Sequence, residues 1–227
     1  MKTIVIIPAY NEEDSIVNVL KDIPSTHVSE VIVVDNNSTD KTAERARSAG
    51  ATVLSEKEQG YGNACLKGID YARKMSVQPD IIVFLDGDYS DYPEELPKIV
   101  APIIEENYDM VIGSRALGDR EKGSMMPQQI FGNWLATSLM RLIHRVHFTD
   151  LGPFRAIRFS ALEKIAMKDR TYGWTVEMQV KAAKHKLKSC EVAVQYRKRI
   201  GVSKVSGTVK GTFLAGYKIL LTIFKYM

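Results

Sequence analysis

The sequence predicts an α/β fold built on a mostly parallel, doubly wound sheet. Short runs of apolar, β-branched residues alternate along the chain with longer stretches that have the periodicity of a helix. Strands that alternate with helices are typical of a parallel sheet covered by helices on both faces. With 227 residues and 45% apolar content, the chain is long enough to bury one good core.

The alternation is regular in the first part of the chain. The second predicted helix begins after Ser38 or Thr39, either of which is a favourable cap, and Asp40 falls in its first turn. The run at 81–86 is uninterrupted and β-branched, which is typical of a strand buried on both faces. The predicted strands are residues 3–8, 30–35, 52–55, 81–86 and 110–114, and the predicted helices are residues 12–22, 39–49, 62–75 and 93–106.

After about Gly118 the regular alternation of predicted strands and helices ends. The later predictions are a helix at 127–144, a strand at 154–157, a helix at 173–186 and a strand at 188–199. We expect a single domain over residues 1–227, in which residues 1–117 bind a nucleotide and residues 118–227 shape the site of a second substrate.

Charge and cysteine content indicate the kind of binding partner and the cellular compartment to expect. The net charge is only +4, yet residues 181–210 hold nine Lys or Arg and a single acid, Glu191. This tract indicates an anionic partner, either phosphate groups or an acidic lipid surface, with a solvated basic face as the alternative. Cys65 and Cys190 are too few for a disulfide scaffold, which favours a reduced, cytoplasmic setting. No signal peptide is evident, and no apolar run approaches the roughly 20 residues of a transmembrane helix.

Polar clusters follow several predicted strands. They are PAYNE (8–12), DNNSTD (35–40), DGD (86–88) and GSR (113–115). Each cluster taken singly could be a turn or a helix cap. However, the carboxyl ends of parallel strands meet at one edge of the sheet, where open sheets bind ligands, so the four clusters are expected to lie together there. Asp86 and Asp88 are hard oxygen ligands of the kind that Mg²⁺ or Mn²⁺ takes together with substrate phosphates. The glycine-rich turn QGYGNA (59–64) offers backbone amides to a ribose or phosphate. A dinucleotide-binding fold is disfavoured, because no Gly-x-Gly-x-x-Gly follows the first strand.

Five segments in order carry a family resemblance: IIPAYNEE, VIVVDNNSTDKT, GYGNA, FLDGDYSDYP and VIGSR. They resemble the family 2 inverting glycosyltransferases of the GT-A fold, in the branch of dolichyl-phosphate mannose synthases and polyprenyl-phosphate sugar transferases. TDLGPFRAIR and RKRIGVSK match later segments of the same branch, so the resemblance covers almost the whole chain. It implies a GT-A fold with a Rossmann-like, mostly parallel sheet and a C-terminal acceptor half. It also implies a metal-dependent enzyme that transfers a sugar from a nucleotide-diphospho sugar, with UDP as the expected nucleotide, and inverts the anomeric centre.

The resemblance also assigns roles to individual residues. Nucleotide-binding roles fall to Pro8, Tyr10, Glu12, Asp35, Gly60, Asn63 and Asp86. Asp35 is expected to accept from the N3–H of uracil. Asp86 and Asp88 are expected at the diphosphate, with Asp88 as the more direct metal ligand and Mg²⁺ or Mn²⁺ as the cofactor. Arg115 is expected to bind the sugar or an acceptor phosphate, and Arg199 and Lys204 are expected to close over the diphosphate. Surface ion pairs are the alternative role for these cations.

The chemistry depends on the acceptor. A hydroxyl acceptor needs a general base, for which Asp150 is the first candidate and Glu177 the second, whereas an ionised phosphate acceptor needs none. Pairing with Arg155 or Arg158 is the structural alternative for these carboxylates. The chain departs from the pattern of the branch at Gly152-Pro153, where Ser-Gly is usual, and at Ser90, where some relatives carry Gln. Ser90 puts a third metal ligand in doubt.

Residues 209–224 place apolar side chains at helical spacing with flanking lysines. This amphipathic helix predicts peripheral attachment to an anionic membrane and a lipid or lipid-linked acceptor. The alternatives are packing on the core or in a homo-oligomer, with a soluble enzyme acting on a small acceptor. A sugar nucleotidyltransferase is disfavoured, because such an enzyme needs a Gly-rich loop and a basic residue after the first strand, and PAYNEE has neither. A non-catalytic nucleotide-sugar-binding protein is disfavoured by the intact acidic pair. No nucleic-acid partner is expected.

Overall fold

The computed structural model describes residues 1–201 and 209–226. One seven-stranded sheet runs through the molecule, in the order β3-β2-β1-β4-β6-β5-β7. Its strands are β1 (Thr3–Ala9), β2 (Glu30–Asp35), β3 (Thr52–Ser55), β4 (Ile81–Phe84), β5 (Met110–Ser114), β6 (Arg155–Arg158) and β7 (Ser189–Ala193). The helices are α1 (Ile16–Asp22), α2 (Thr42–Ser48), α3 (Tyr61–Arg73), α4 (Leu96–Glu105), α5 (Pro127–His144), α6 (Phe159–Ile165), α7 (Trp174–Lys184) and α8 (Val209–Lys225).

The sheet is buried on both faces, as the apolar strands predict. Along β1, Ile4 and Ile6 point into one core with α3, α5 and α7, while Val5 and Ile7 point into a second core with α1, α2 and α4. Burying a large aliphatic side chain contributes about 1.5–3 kcal/mol, so the two cores supply much of the driving force for folding. The predicted α/β class with a mostly parallel sheet is confirmed.

The sheet is not parallel throughout, because β6 runs antiparallel to both of its neighbours, β4 and β5. This strand comes after the long helix α5, and it re-enters the sheet in the gap between two parallel strands. The apolar periodicity of residues 154–157 carries no signal of strand direction, so the sequence could not reveal this arrangement.

Most element boundaries differ from the predicted ones by a few residues, and α2 begins at Thr42, not after Ser38 or Thr39. Three differences concern the cleft. Helix α1 begins at Ile16, not at residue 12, because Asn11 adopts a left-handed conformation with φ 53° and turns the chain first. Strand β4 ends at Phe84, before the acidic pair. Strand β7 ends at Ala193. The segment that follows leaves the sheet and contacts the loop after β4, where Tyr196 bridges to Asp91. Helix α6 was absent from the sequence prediction.

Candidate active site

A cleft of about 740 Å³ lies at the carboxyl ends of β1, β2 and β4, where the polar clusters were expected to meet. Of the predicted nucleotide-binding residues, the cleft is lined by Pro8, Tyr10, Glu12, Gly60 and Asp86. Asp88, Arg115 and Arg199 line the same cleft. Asp35, Asn63, Asp150 and Glu177 do not line it. Lys204 lies outside the described residues.

Two loops at the mouth of the cleft are tied to each other by hydrogen bonds. The backbone amide of Asn11 donates to Ser38 Oγ (3.0 Å), and Asn11 Oδ1 accepts from the amide of Thr39 (2.8 Å). The amide of Glu12 donates to Thr42 Oγ1 (2.8 Å). The left-handed turn at Asn11 therefore has a structural cause, and it holds Tyr10 and Glu12 against the cleft.

The side chain of Asn36 holds the glycine-rich turn (59–64) in its conformation. Its buried amide donates to the carbonyl of Glu58 (2.7 Å) and accepts from the amide of Gly60 (2.7 Å). A Cβ at Gly60 would overlap the carbonyl oxygen of Arg170, so only glycine fits there. The amide of Asn63 donates to the same carbonyl (3.0 Å). The amides of Gly60 and Asn63 are thus engaged within the protein, so the expected contact of this turn with a ribose or phosphate would have to use its other amides.

Asp35 ends β2 directly beside Ala9, which lines the cleft. Its Oδ1 atom is buried, and no hydrogen-bond donor reaches it from residues 1–201 or 209–226. A buried acceptor without a partner is costly, so this oxygen is suited to a donor that arrives with a ligand.

Asp86 follows β4 and faces the cleft. Burial and the nearby carboxylate of Asp88 raise the pKa of Asp86 to about 7, and the hydroxyl of Tyr61 donates to its Oδ1 (3.0 Å). Burial is the larger cause, and the repulsion between the two carboxylates adds to it. A cation in the cleft would relieve that repulsion.

Asp88 is buried and has two defined partners. Its Oδ1 accepts from the amide (2.9 Å) and the hydroxyl (2.5 Å) of Ser90, which fixes the plane of the carboxylate. Its Oδ2 pairs with the guanidinium of Arg199 at 2.6 Å. Ser90 therefore orients Asp88, and that engagement leaves it poorly placed to be a third ligand.

Arg199 reaches Asp88 because its neighbours are bound to the acidic segment. The Arg197 guanidinium lies over the ring of Tyr89 at 3.4 Å and over that of Tyr92 at 4.1 Å. Its Nε atom donates to the carbonyl of Tyr89 (2.8 Å), and the amide of Ile200 donates to the carbonyl of Asp88 (3.0 Å). The sequence assigned a role to Arg199 but none to Arg197, because the stacking partners lie about 100 residues earlier.

Arg115 and Asp150 form a buried, two-pronged ion pair. Arg115 Nε donates to Asp150 Oδ2 (2.8 Å), Nη2 donates to Oδ1 (2.7 Å), and the backbone amide of Arg115 adds a third bond (2.7 Å). Burial alone would raise the pKa of Asp150, but these bonds from Arg115 hold it below its ordinary value. Asp150 is therefore a weak base whose oxygens are already engaged.

Glu177 lies on α7, in the interior. It accepts from the amides of Lys168 (3.0 Å) and Asp169 (2.6 Å) and from the hydroxyl of Tyr226 (2.6 Å), and it pairs with Lys181 at 2.7 Å. Burial would raise its pKa, but the bonds from Lys181 and Tyr226 lower it. These contacts assign Glu177 a structural role that joins α7 to α8, and they give no support to the expected role as a base.

Sequence reasoning passed over Asp91, a second buried acid of the same segment. Neither carboxylate oxygen of Asp91 has a hydrogen-bond partner within the described part of the chain. Burial and the charge of Asp86 raise its pKa well above the ordinary value. Asp91 stands three residues after Asp88 in the sequence, but no local pattern indicates that its side chain turns inward.

The donor set fits a divalent cation shared with a ligand. Among the described residues, no group of three or more His, Cys, Asp or Glu side chains is arranged to hold a metal ion. Two neighbouring carboxylates are instead the set with which Mg²⁺ or Mn²⁺ binds together with a diphosphate.

Comparison with known proteins identifies the family. Residues 4–166 match the model of Glycosyl transferase family 2, which is most of the chain. The chain belongs to this family. A glycosyltransferase of Mycobacterium tuberculosis described as uncharacterized is 35% identical over 213 residues, which are 93% of each chain. The undecaprenyl-phosphate mannosyltransferase of Micrococcus luteus is 28% identical over 93% of this chain and 90% of its own.

The fold has a solved counterpart. A crystal structure of glucosyl-3-phosphoglycerate synthase from M. tuberculosis, in complex with Mn²⁺, UDP and glucosyl-3-phosphoglycerate, superposes with a TM-score of 0.78 at 21% identity. The match covers 99% of this chain and 79% of that one. The family 2 chain is thus a glycosyltransferase with the GT-A fold, as its motifs indicated.

Proposed function

We propose that this glycosyltransferase moves a sugar from a UDP-sugar to a lipid-linked phosphate, with inversion and with Mn²⁺ or Mg²⁺. One observation carries the donor half of the proposal. Asp86 and Asp88 line the cleft, and Asp35, whose buried oxygen has no donor within residues 1–201 or 209–226, lies beside Ala9 of the same lining. Residues 1–117 would then supply most of the donor site, with Arg199 added from the second half, and residues 118–227 would shape the acceptor site together with Arg115.

The open acceptor of Asp35 favours a base that offers a ring N–H. Uracil has such a donor at N3, whereas the corresponding edge of adenine presents an acceptor. The solved counterpart binds UDP, which supports the choice of uridine. Guanine also carries a ring N–H, so GDP is the competitor that an experiment has to exclude.

Asp88, with Asp86, would hold the divalent cation against the diphosphate. Bound there, the cation supplies positive charge that offsets the negative charge growing on the leaving nucleoside diphosphate. Arg199 then exchanges its bond to Asp88 for a bond to a phosphate oxygen, which a guanidinium binds well. Arg197, stacked between two tyrosines, keeps Arg199 within reach.

The acceptor side favours a nucleophile that is already ionised. Asp150 is held by Arg115 and has a lowered pKa, so it is poorly suited to remove a proton from an alcohol. A phosphate oxygen needs no base, and Arg115 lines the cleft in a position to bind it. The relative from M. luteus, which is described as acting on undecaprenyl phosphate, supports this class of acceptor.

A membrane-bound acceptor also agrees with the surface of the molecule. Within residues 1–201 and 209–226, no helix has the length and apolar character needed to cross a bilayer. Helix α8 buries Thr222 and Ile223 but exposes Phe213, Tyr217 and Phe224. An exposed apolar face beside the cleft suits peripheral attachment. The solved counterpart, with its soluble product, makes a small phosphorylated acceptor the second candidate.

A nucleotide titration tests the donor. Calorimetry with UDP, GDP and ADP, each with Mn²⁺ and with EDTA, should give the tightest binding for UDP with Mn²⁺. Asp35→Ala should remove most of the preference for UDP over ADP, because a buried hydrogen bond discriminates strongly. Equal binding of UDP and ADP by the wild type would contradict the assignment, and tighter binding of GDP would change the donor.

A further inference from the structure

A second pocket, of about 360 Å³, opens on the side of α5 away from the donor cleft. It shares Met125 and Asn133 with the cleft. The Arg115–Asp150 pair lies between the two spaces, because Arg115 lines the cleft and Asp150 lines the pocket. No step of donor binding or transfer described above uses this pocket.

The pocket has an uncompensated basic lining. Arg120, Arg141 and His147 line it, and none of the three pairs with a carboxylate in the described part of the chain. Within the described residues, the guanidinium of Arg120 has one hydrogen bond, to the sulfur of Met125 (3.5 Å) in the same loop. The one acid in the lining, Asp150, is already neutralised by Arg115 at 2.7 Å. The pocket therefore attracts an anion, and two guanidinium groups match the geometry of a phosphate.

Apolar side chains of α5 also line the pocket and reach solvent. Ile130 and Trp134 line the pocket, yet they are 44% and 60% exposed. Phe131, on the neighbouring side of α5 that lines the donor cleft, is 61% exposed, and its ring centroid lies 5.8 Å from that of Trp134. An anion that enters here can therefore carry a hydrocarbon chain along this exposed apolar surface.

We propose that this pocket binds the phosphate group of an amphiphile, separately from the nucleotide. Arg120 and Arg141 would hold the phosphate, and the chain would lie along Ile130, Phe131 and Trp134. Two sources share this chemistry, the headgroup of an anionic phospholipid and a small phosphate ester. A phospholipid bound here fixes the mouth of the donor cleft at the membrane surface.

Two binding measurements distinguish the sources. Flotation with vesicles of phosphatidic acid in phosphatidylcholine reports a lipid headgroup, and calorimetry with glycerol 3-phosphate reports a small ester. The test variant is Arg120→Gln with Arg141→Gln. The matched control is Arg47→Gln with Lys74→Gln, which removes the same charge from exposed positions on α2 and at the end of α3.

We expect the wild type to float with anionic vesicles and the test variant to bind them at least about tenfold more weakly than the control does. UDP binding with Mn²⁺ should be equal in all three proteins, because neither Arg120 nor Arg141 lines the donor cleft. Binding of glycerol 3-phosphate that is lost in the test variant supports the site with a small ester as ligand. Equal vesicle binding by the test variant and the control, or no binding to either probe by the wild type, would overturn the proposal.

Discussion

The side chain of Asp88 is held on one side by Ser90 and on the other by Arg199. Asp88→Asn keeps an oxygen for the Ser90 bonds but removes the charge that a divalent cation needs. We expect the variant to fold and to bind UDP in EDTA as the wild type does, while Mn²⁺ no longer strengthens binding. Calorimetry in Mn²⁺ should show a loss of at least about tenfold. An equal gain from Mn²⁺ in both proteins would show that the metal lies elsewhere.

We propose that Asp150 positions Arg115 and does not act as a base. Asp150→Asn should lower turnover by roughly tenfold to a hundredfold, because a misplaced binding group is costly, and it should leave UDP affinity unchanged. The double variant Arg115→Gln/Asp150→Asn should lose no more turnover than Arg115→Gln alone, because both changes remove one interaction. Additive losses in steady-state kinetics would show that Asp150 contributes independently, as a base does.

Individual site residues were predictable where a local motif carried them. Asp86 and Asp88 stand in a short acidic motif after a buried strand, and Arg199 stands in a basic tract. Asn36 and Asp91 were missed because their importance depends on which way a side chain turns after its strand ends. The local sequence allows both directions, and distant packing decides between them.

At the scale of elements, a buried ion pair on α7 ties this helix to the end of α8. Glu177 pairs with Lys181 and also accepts a hydrogen bond from Tyr226, which follows α8. Glu177→Gln leaves the charge of Lys181 buried without a carboxylate, with the carbonyl of Ala166 (2.6 Å) as a neutral partner, so we expect a loss of about 3 kcal/mol in the free energy of unfolding. In a chain of this length, that loss lowers the melting temperature by roughly 10 °C.

Glu163→Gln is the matched control for this change. It breaks the Arg73–Glu163 pair, whose side chains are both 39% exposed, and it should cost less than about 1 kcal/mol. Thermal melts of both variants test the difference. If Glu177→Gln melts with the control but loses turnover, Glu177 belongs to the chemistry and its structural assignment is wrong.

Elements of the first half followed from periodicity, because the strands there are parallel, apolar and separated by helices that cover the sheet. The second half departs from that rule. Strand β6 inserts antiparallel between β4 and β5, and the segment after β7 crosses to Asp91 and does not extend the sheet. Both arrangements depend on pairings between residues far apart in sequence, which local hydrophobic patterns do not encode.

The whole molecule combines a cleft at the carboxyl ends of β1, β2 and β4 with exposed apolar side chains on α5 and α8. The chain belongs to glycosyltransferase family 2, and we propose that its acceptor is a lipid-linked phosphate. Transfer of radiolabel tests it most directly. The purified protein is incubated with Mn²⁺, labelled UDP-sugars and a total lipid extract, and the organic and aqueous phases are counted.

We expect label from one UDP-sugar to enter the organic phase, to require Mn²⁺ or Mg²⁺, and to be absent with Asp88→Asn. Removal of phosphorylated lipids from the extract should abolish it. Label that appears only in a water-soluble phosphate ester, with none in the organic phase, would contradict the lipid-linked acceptor and favour a small acceptor in the same cleft.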